Sequence, residues 1–536
     1  MTELFGKIGL AVVLVLILST PSYANNLSVT NVTLGMRNPT AHTVAVTFNL
    51  SWQNSWRNKI NFDATWLTVR LATATSAVLC PMSATGLNPA GTLPGSSPNL
   101  QIYVPKDATG AFLQPSSTGF IGNISSQNVQ LTINYKNCGF GDSDSILASV
   151  FGVEMVFIPQ GSFYAGDYNT SVASLNSGSA DSTPWNIGSE NAIPVTNATS
   201  GGYQYVSGGN TGEFATGASF TIPAAYPKGY NAFYVMKYGI NEGQWVQFIN
   251  SLPEAARENH DLSDVNHKNS QNVLFRNTIN CTGLATHSLI CSSNSSTSSR
   301  AVSYLSWMDL AAFLDWDALR PMTELEFEKV ARGPLLPNAG EFVWGNQTIA
   351  AATTISGAKE DGTEIITTPT NANANYGNTI LSGGDATQGA GFNQGPLRGG
   401  IFASSNSTRV SSGASYYGVM DLAGNLKEHV VSIGNTTGLA FTGSQGTGAL
   451  STAYQDTGGN SITSYEGNAN VVGWPGMDQG NAQNGVDGAT GSGFRGGSWA
   501  DSVNLLRTSD RTEAALTTSA SLNTFGGRGV RTYDGN

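Results

Sequence analysis

The stretch "GFRGGSWADSVNLLRTSDR", Gly493 to Arg511, gathers side chains suited to recognition. The Trp499 ring offers apolar area, while Asp501, Ser502 and Asn504 offer directional hydrogen bonds, the combination that glycan and protein binding uses. Arg495, Arg507 and Arg511 are expected to brace the stretch through buried ion pairs or carbonyl contacts. It holds no thiol, and no cysteine follows Cys291 anywhere in the chain. Chemistry that needs a thiolate, as nucleophile or as soft-metal ligand, therefore has no donor here. Among five histidines, only His260 and His267 in "NHDLSDVNH" lie close together. Their spacing could fit one helix face, but no third metal ligand accompanies them, and both are expected to be solvated loop residues.

The elements that must hold these residues fall into two regions. Met1 to Lys7, an apolar run from Ile8 to Leu18 and Ser22-Tyr23-Ala24 have the form of a secretory signal peptide, residues 1–24. The apolar run is shorter than the roughly 20 residues of a membrane span, and no later segment is long and apolar enough to make one. A secreted or cell-surface protein is the expectation. Cys80, Cys138, Cys281 and Cys291 are an even set in such a chain, so disulfides are favoured. Three pairings are open, and pairing within each domain is expected. Charged residues make up only 11% of the chain and the net charge is −11, without a Lys/Arg cluster, which argues against a nucleic-acid partner.

Residues 25–138 alternate apolar and polar positions in short runs such as "TVAVTFNLSW" and "NVQLTINY", separated by Pro-, Gly- and Ser-rich turns. This predicts an antiparallel β-sandwich. Residues 139–152, with "GFGDSDS", read as a linker, and 153–536 as a second domain. There, "VEMVFIPQGSFYAGD" reads as a hairpin turning at Pro159–Gly161. Helices are expected at Asn241–Leu252, at Ser306–Trp316 and at Thr323–Gly333, where Thr323 and Glu326 form a capping box. Beyond Gly333 the chain is mostly Gly-, Asn- and Ser-rich loop, which only bound ions or buried side-chain networks could order. The overall class is α+β.

"VFIPQGSFYAGD", "FYVMKYGINEGQWVQFIN", "AVSYLSWMDLAAFLDW", "RPMTELEFEKVARG", "FVWGN", "YYGVMDLAGNLKEH", "FRGGSWADS" and "GGRGVRT" follow one another in an order that resembles the formylglycine-generating enzyme, or sulfatase-modifying-factor, family. The resemblance runs from about Val153 to Thr532. It implies an elaborated C-type-lectin-like fold with little regular secondary structure and with Ca²⁺ holding the loops. Catalytic members resembling this domain oxidise a substrate cysteine with a copper(I) site made of two cysteines after the RGGS motif. Here the first of those positions is Asp501 and the second falls between Asn504 and Leu506, so no copper is expected. The resemblance implies one calcium set at Asp421, Gly424, Leu426 and Glu428, with carboxylates from the first and last and carbonyls from the others, and another beginning at Asn375 and Tyr376. Aromatic residues usual in the family are replaced by Lys427 and His429. It also implies that Trp499, Asp501, Ser502 and Asn504 point to solvent.

Three functions fit these readings. The first is a secreted, non-catalytic binding or surface-display protein whose C-terminal loop face meets an extracellular glycan or protein. The second is a metal-dependent oxidoreductase of the same family with a different chemistry. The third is a self-associating subunit of an extracellular fibre or coat.

Overall fold

The computed structural model describes residues 27–535 apart from 74–76, 88–99, 179–181, 197–201, 264–274, 283–289, 294–297, 357–363, 384–392 and 457–461. The signal-peptide expectation and His267 lie outside the described residues.

Alternation in the first region becomes two packed layers. Strands β1 (Ser28–Asn38), β2 (Thr43–Arg57) and β7 (Phe120–Asn134) form one antiparallel sheet in the order β1-β2-β7. Its inward residues Val44, Val46, Phe48, Leu50 and Trp52 are all buried. They pack with Leu67, Val69 and Leu71 of β3 (Asp63–Ala72) and with Ala111 and Leu113 of β6 (Ala111–Pro115). The Cys80–Cys138 disulfide ties this unit, and Cys281–Cys291 closes a short hairpin in the second region, so both bonds form within their regions as expected.

The second layer does not stop at the sandwich. Part of the stretch expected as a linker is strand: β8 (Leu147–Ile158) pairs with the whole length of β3, from Asp63↔Val156 to Ala72↔Leu147. On its other edge β8 pairs with Phe233–Met236, which pairs in turn with Gly529–Thr532. One eight-stranded sheet therefore runs through both regions. Its remaining strands are β4 (Ala77–Leu79), β5 (Leu100–Tyr103) and Arg320–Pro321. A strand buried on both faces reads as an unbroken apolar run, and such a run does not disclose its partners. The expected hairpin is also rearranged. Phe163–Ala165 pairs with Trp185–Ile187 instead of returning along β8.

Five α-helices are described: α1 (Glu242–Ser251), α2 (Glu254–Asn259), α3 (Trp307–Trp316), α4 (Glu324–Arg332) and α5 (Thr436–Leu439). The three expected ones, α1, α3 and α4, each begin with a reciprocal capping box, at Asn241/Gln244, Ser306/Asp309 and Thr323/Glu326. Among the described residues, no helix is long and apolar enough to cross a membrane.

The end of α3 meets the back of β3. Trp66 Nε1 donates to the Asp317 carbonyl at 2.9 Å, Thr68 Oγ1 to Asp317 Oδ1 at 2.8 Å, and Arg70 to the Trp316 carbonyl. Burial raises the Asp317 carboxyl to about 7, against the Thr68 hydroxyl and the Arg70 and Arg531 charges, and lowers Arg70 to about 9. Both partners are pushed toward neutrality because the site is dry. A carboxyl raised by folding contributes fully below about pH 4, and that contribution is lost as pH rises toward 7. Asp317→Asn keeps the shape without the charge. It is expected to raise stability at pH 8 by about 1–2 kcal/mol and to flatten the decline between pH 4 and 7. Urea midpoints measured across that range check this, and a variant with the parent pH profile contradicts it.

Candidate functional site

Helix α4 is fully buried, although it carries Glu324, Glu326, Glu328, Lys329 and Arg332. Such a helix needs partners for every charge, and the C-terminal stretch supplies many of them. Arg511 Nε reaches Glu324 Oε2 at 2.6 Å, and Arg495 Nη1 reaches the same oxygen at 3.3 Å. Arg495 Nη2 donates to Glu328 Oε1 at 2.8 Å, and Arg332 Nη1 lies 3.1 Å from Glu328 Oε2. Burial alone would raise the Glu328 carboxyl, but Arg495 and Arg332 hold it below its ordinary value. Arg507 Nη1 donates to the Thr170 carbonyl at 2.9 Å. All three arginines of the stretch thus brace it.

The loop between these anchors starts with Ser492–Arg495, antiparallel to Lys427–Val431. It then turns at Gly496, where φ is 84° and a Cβ would sit 2.2 Å from the Leu422 carbonyl oxygen, so only glycine fits. This turn brings Trp499 inward. The expectation that Trp499 faces solvent is corrected: it is 2% exposed, Nε1 donates to the Asn523 carbonyl at 3.1 Å, and the ring lies 5.1 Å from Phe275. A large ring with a satisfied N–H gains most from burial, and the neighbouring loop provides the acceptor.

Asp501 is half-buried. Its Oδ2 accepts from Ser498 N and Oγ at 2.8 and 2.6 Å and lies 3.4 Å from Lys427 Nζ. Lys427 also pairs with Glu513 at 2.7 Å. Ser502 and Asn504 are exposed, as expected. Beside them, Asn378 N donates to the Trp499 carbonyl and Gly377 N to the Asp501 carbonyl, both at 2.8 Å. On these two joined segments Asn378, Ile380, Ser502 and Asn504 are all exposed, Ile380 to 63%.

Asp421, Leu426 and Glu428 line a small cavity of about 20 Å³, together with Tyr238, Asn241 and Arg528. Gly424 is pressed instead against Asn375, where a Cβ would stand 2.5 Å from the carbonyl oxygen. Asn375 bonds the same loop, accepting from Asn425 N at 2.8 Å, whereas Tyr376 lies toward the surface. Arg528 grips Glu428 Oε1 through Nε and Nη2, at 2.8 and 2.5 Å, while Glu428 Oε2 is buried without a hydrogen-bond partner. Burial raises the Asp421 carboxyl, with Gly400 N, Arg528 and Arg398 opposing.

Lys427, Glu513 and Arg528 were not singled out as site residues in the sequence. The arginine in "GGRGVRT" was the available signal for Arg528, but its carboxylate partner lies 100 residues away in the chain. His260 is buried and not solvated: Nδ1 is 2.7 Å from Asp309 Oδ1 and Nε2 is 3.1 Å from the Gly467 carbonyl. Both contacts come from distant segments that local composition does not reveal. Among the described residues, only Asp261, Cys281 and Cys291 bring three metal-type donors together, and the two sulfurs are bonded to each other and offer no thiolate.

No curated protein matches the chain. Residues 151–533 match the family model described as the sulfatase-modifying factor enzyme 1-like domain, and the chain belongs to that family.

Proposed function

We propose that this protein is a secreted, non-catalytic binding or surface-display protein, with the face around Ser502 and Asn504 meeting an extracellular glycan or protein. The observation that carries this reading is the charge pair Lys427–Asp501. At the position to which the resemblance assigns a thiolate of catalytic relatives stands a carboxylate facing an ammonium, and all four cysteines of the chain are joined in disulfides. A site without sulfur donors does not attract copper(I). The two disulfides also suit an oxidising, extracellular setting.

Calcium fits the reading as a stiffener of the scaffold. Asp421 and Glu428 would hold it with the Leu426 carbonyl; Gly424, the fourth member implied by the resemblance, does not line that cavity, and Asn375 and Tyr376 would belong to the second set. The buried, unpartnered Glu428 Oε2 is the donor atom in favour, with the Asp421 carboxyl lining the same cavity and accepting from Gly400 N at 2.6 Å. Arg528 already neutralises the other Glu428 oxygen. Bound Ca²⁺ would supply positive charge and rigidity to the loop, not chemistry.

The test is a glycan and surface-protein screen of the whole mature chain, because the shared sheet makes a cut at Val153 unsafe. Binding is expected with Ca²⁺, weakened by Ser502→Ala with Asn504→Ala, and chelator is expected to lower the melting temperature by a few degrees. Copper-dependent O₂ uptake with a cysteine peptide, or filament formation without any binding, overturns the proposal.

A further inference from the structure

The sheet shared by the two regions lays three ionisable side chains side by side on adjacent strands. Lys237 follows Phe233–Met236, Glu154 is on β8, and Asp63 opens β3. Lys237 Nζ is 3.1 Å from Glu154 Oε2 and 3.4 Å from Asp63 Oδ2. All three residues are buried. Aromatic rings form part of the wall: Lys237 Nζ lies 5.0 Å from the Trp56 ring centroid and 5.6 Å from that of Tyr238.

The two carboxyl groups are not equivalent. Asp63 Oδ1 accepts from Ser55 Oγ at 2.5 Å and from Trp56 N at 3.1 Å, and Oδ2 accepts from Trp52 Nε1 at 3.2 Å. Glu154 Oε1 is buried with no hydrogen-bond partner. Burial pushes the Glu154 carboxyl up to about 8, against the Lys237 charge, and raises Asp63 as well. Burial alone would lower the Lys237 ammonium, but Tyr238, Glu154 and Asp63 outweigh it and raise it. One ammonium, one hydrogen-bonded carboxylate at Asp63 and one neutral carboxylic acid at Glu154 is the state these surroundings favour.

An amine, a carboxyl whose oxygen already sits between two donors, and a neutral acid touching the amine make up the parts of an amide-forming site. We propose that Lys237 and Asp63 condense to an intramolecular isopeptide bond, with Glu154 carrying the protons.

Lys237 first passes a proton to Asp63 Oδ2. This leaves an uncharged amine and acid, a minor state that the low dielectric of a dry site keeps within reach of the ion pair. Nζ then attacks Cγ, and the charge that develops on Oδ1 is met by the Ser55 hydroxyl and the Trp56 N–H. Glu154 gives its proton to the departing Oδ2 hydroxyl and takes one from Nζ. The Nζ–Cγ bond forms, the Cγ–Oδ2 bond breaks, and one water leaves. Glu154 ends as it began, and no oxidant or reductant is needed. The bond would tie the first strand of the shared sheet in the sandwich to a residue 174 positions away in the second region.

The experiment is mass spectrometry of the purified full chain, reduced and denatured, beside Lys237→Arg prepared in the same way. The parent protein is expected to be lighter than its composition by one water, and its digest to contain a branched peptide joining the segments of Asp63 and Lys237. Lys237→Arg keeps the cation and is expected at full mass, as is Glu154→Gln, with folding of each checked by circular dichroism. Asp63→Asn is expected to lose ammonia in place of water. Folded parent protein that stays at full mass after prolonged incubation, with Lys237 open to an amine reagent once denatured, overturns the proposal. A Glu154→Gln protein that cross-links as completely as the parent overturns the role of Glu154.

Discussion

Arg511→Met is expected to destabilise the protein by about 3–5 kcal/mol, read as a lower urea midpoint with tryptophan fluorescence as the probe. The substitution preserves much of the side-chain volume but leaves Glu324 short of a counter-charge. Glu324 is inaccessible to water and accepts from Arg511, Arg495 and the Ile433 backbone N–H, the last at 2.8 Å. With Arg511 gone, Arg495 must serve both Glu324 and Glu328. Arg511 also donates to the Ala173 and Val206 carbonyls at 3.1 and 3.0 Å, and those acceptors lose their donor. Adding Glu324→Gln removes the orphaned charge, so the double variant should recover part of the loss; the two changes are coupled, not additive. A single-variant loss under about 1 kcal/mol would mean that this network is peripheral to stability.

That network also shows which features were legible from the sequence. Two of the three long helices, α3 and α4, announced themselves through capping residues, because a cap is a local device written within four positions, and α1 through Trp245, Phe248 and Ile249 on one face. The need of the glycine-rich C-terminal half for buried side-chain networks followed from composition, and Arg495, Arg507 and Arg511 were read as braces. Their partners were not legible: Glu324 and Glu328, which hold Arg495 and Arg511, lie on a helix more than 160 residues earlier, and the Thr170 carbonyl that holds Arg507 is 337 residues away. Trp499 was misplaced because an indole suits a core as well as a binding face, and the Gly496 turn decides between them. His260 was misread for the same kind of reason, its partner Asp309 lying 49 residues away. The continuity of β3 and β8 was hidden because pairing partners are not encoded in a strand's own residues.

Trp66→Ala should cost about 3–5 kcal/mol and should lower the stability of both regions together. The reason is its position on the shared sheet. Successive residues of β3 face opposite ways: Leu67, Val69 and Leu71 enter the sandwich core, while Trp66 enters the core of the second region. There it packs against Phe112 at 4.7 Å between ring centroids and carries the Arg531 guanidinium 4.3 Å from its own. Arg531 belongs to Gly529–Thr532, on the same sheet, and also donates to the Ala318 carbonyl just past α3. Removing the indole thus opens a cavity between β3, α3 and the last strand at once, and the Asp317 carbonyl loses its donor. Because every residue of β3 is paired with β8, loosening one face of β3 disturbs the ladder that carries the other. Calorimetry should therefore show one cooperative transition moved to lower temperature. Two resolved transitions, with the sandwich unmoved, would mean that the regions fold independently in spite of the sheet they share.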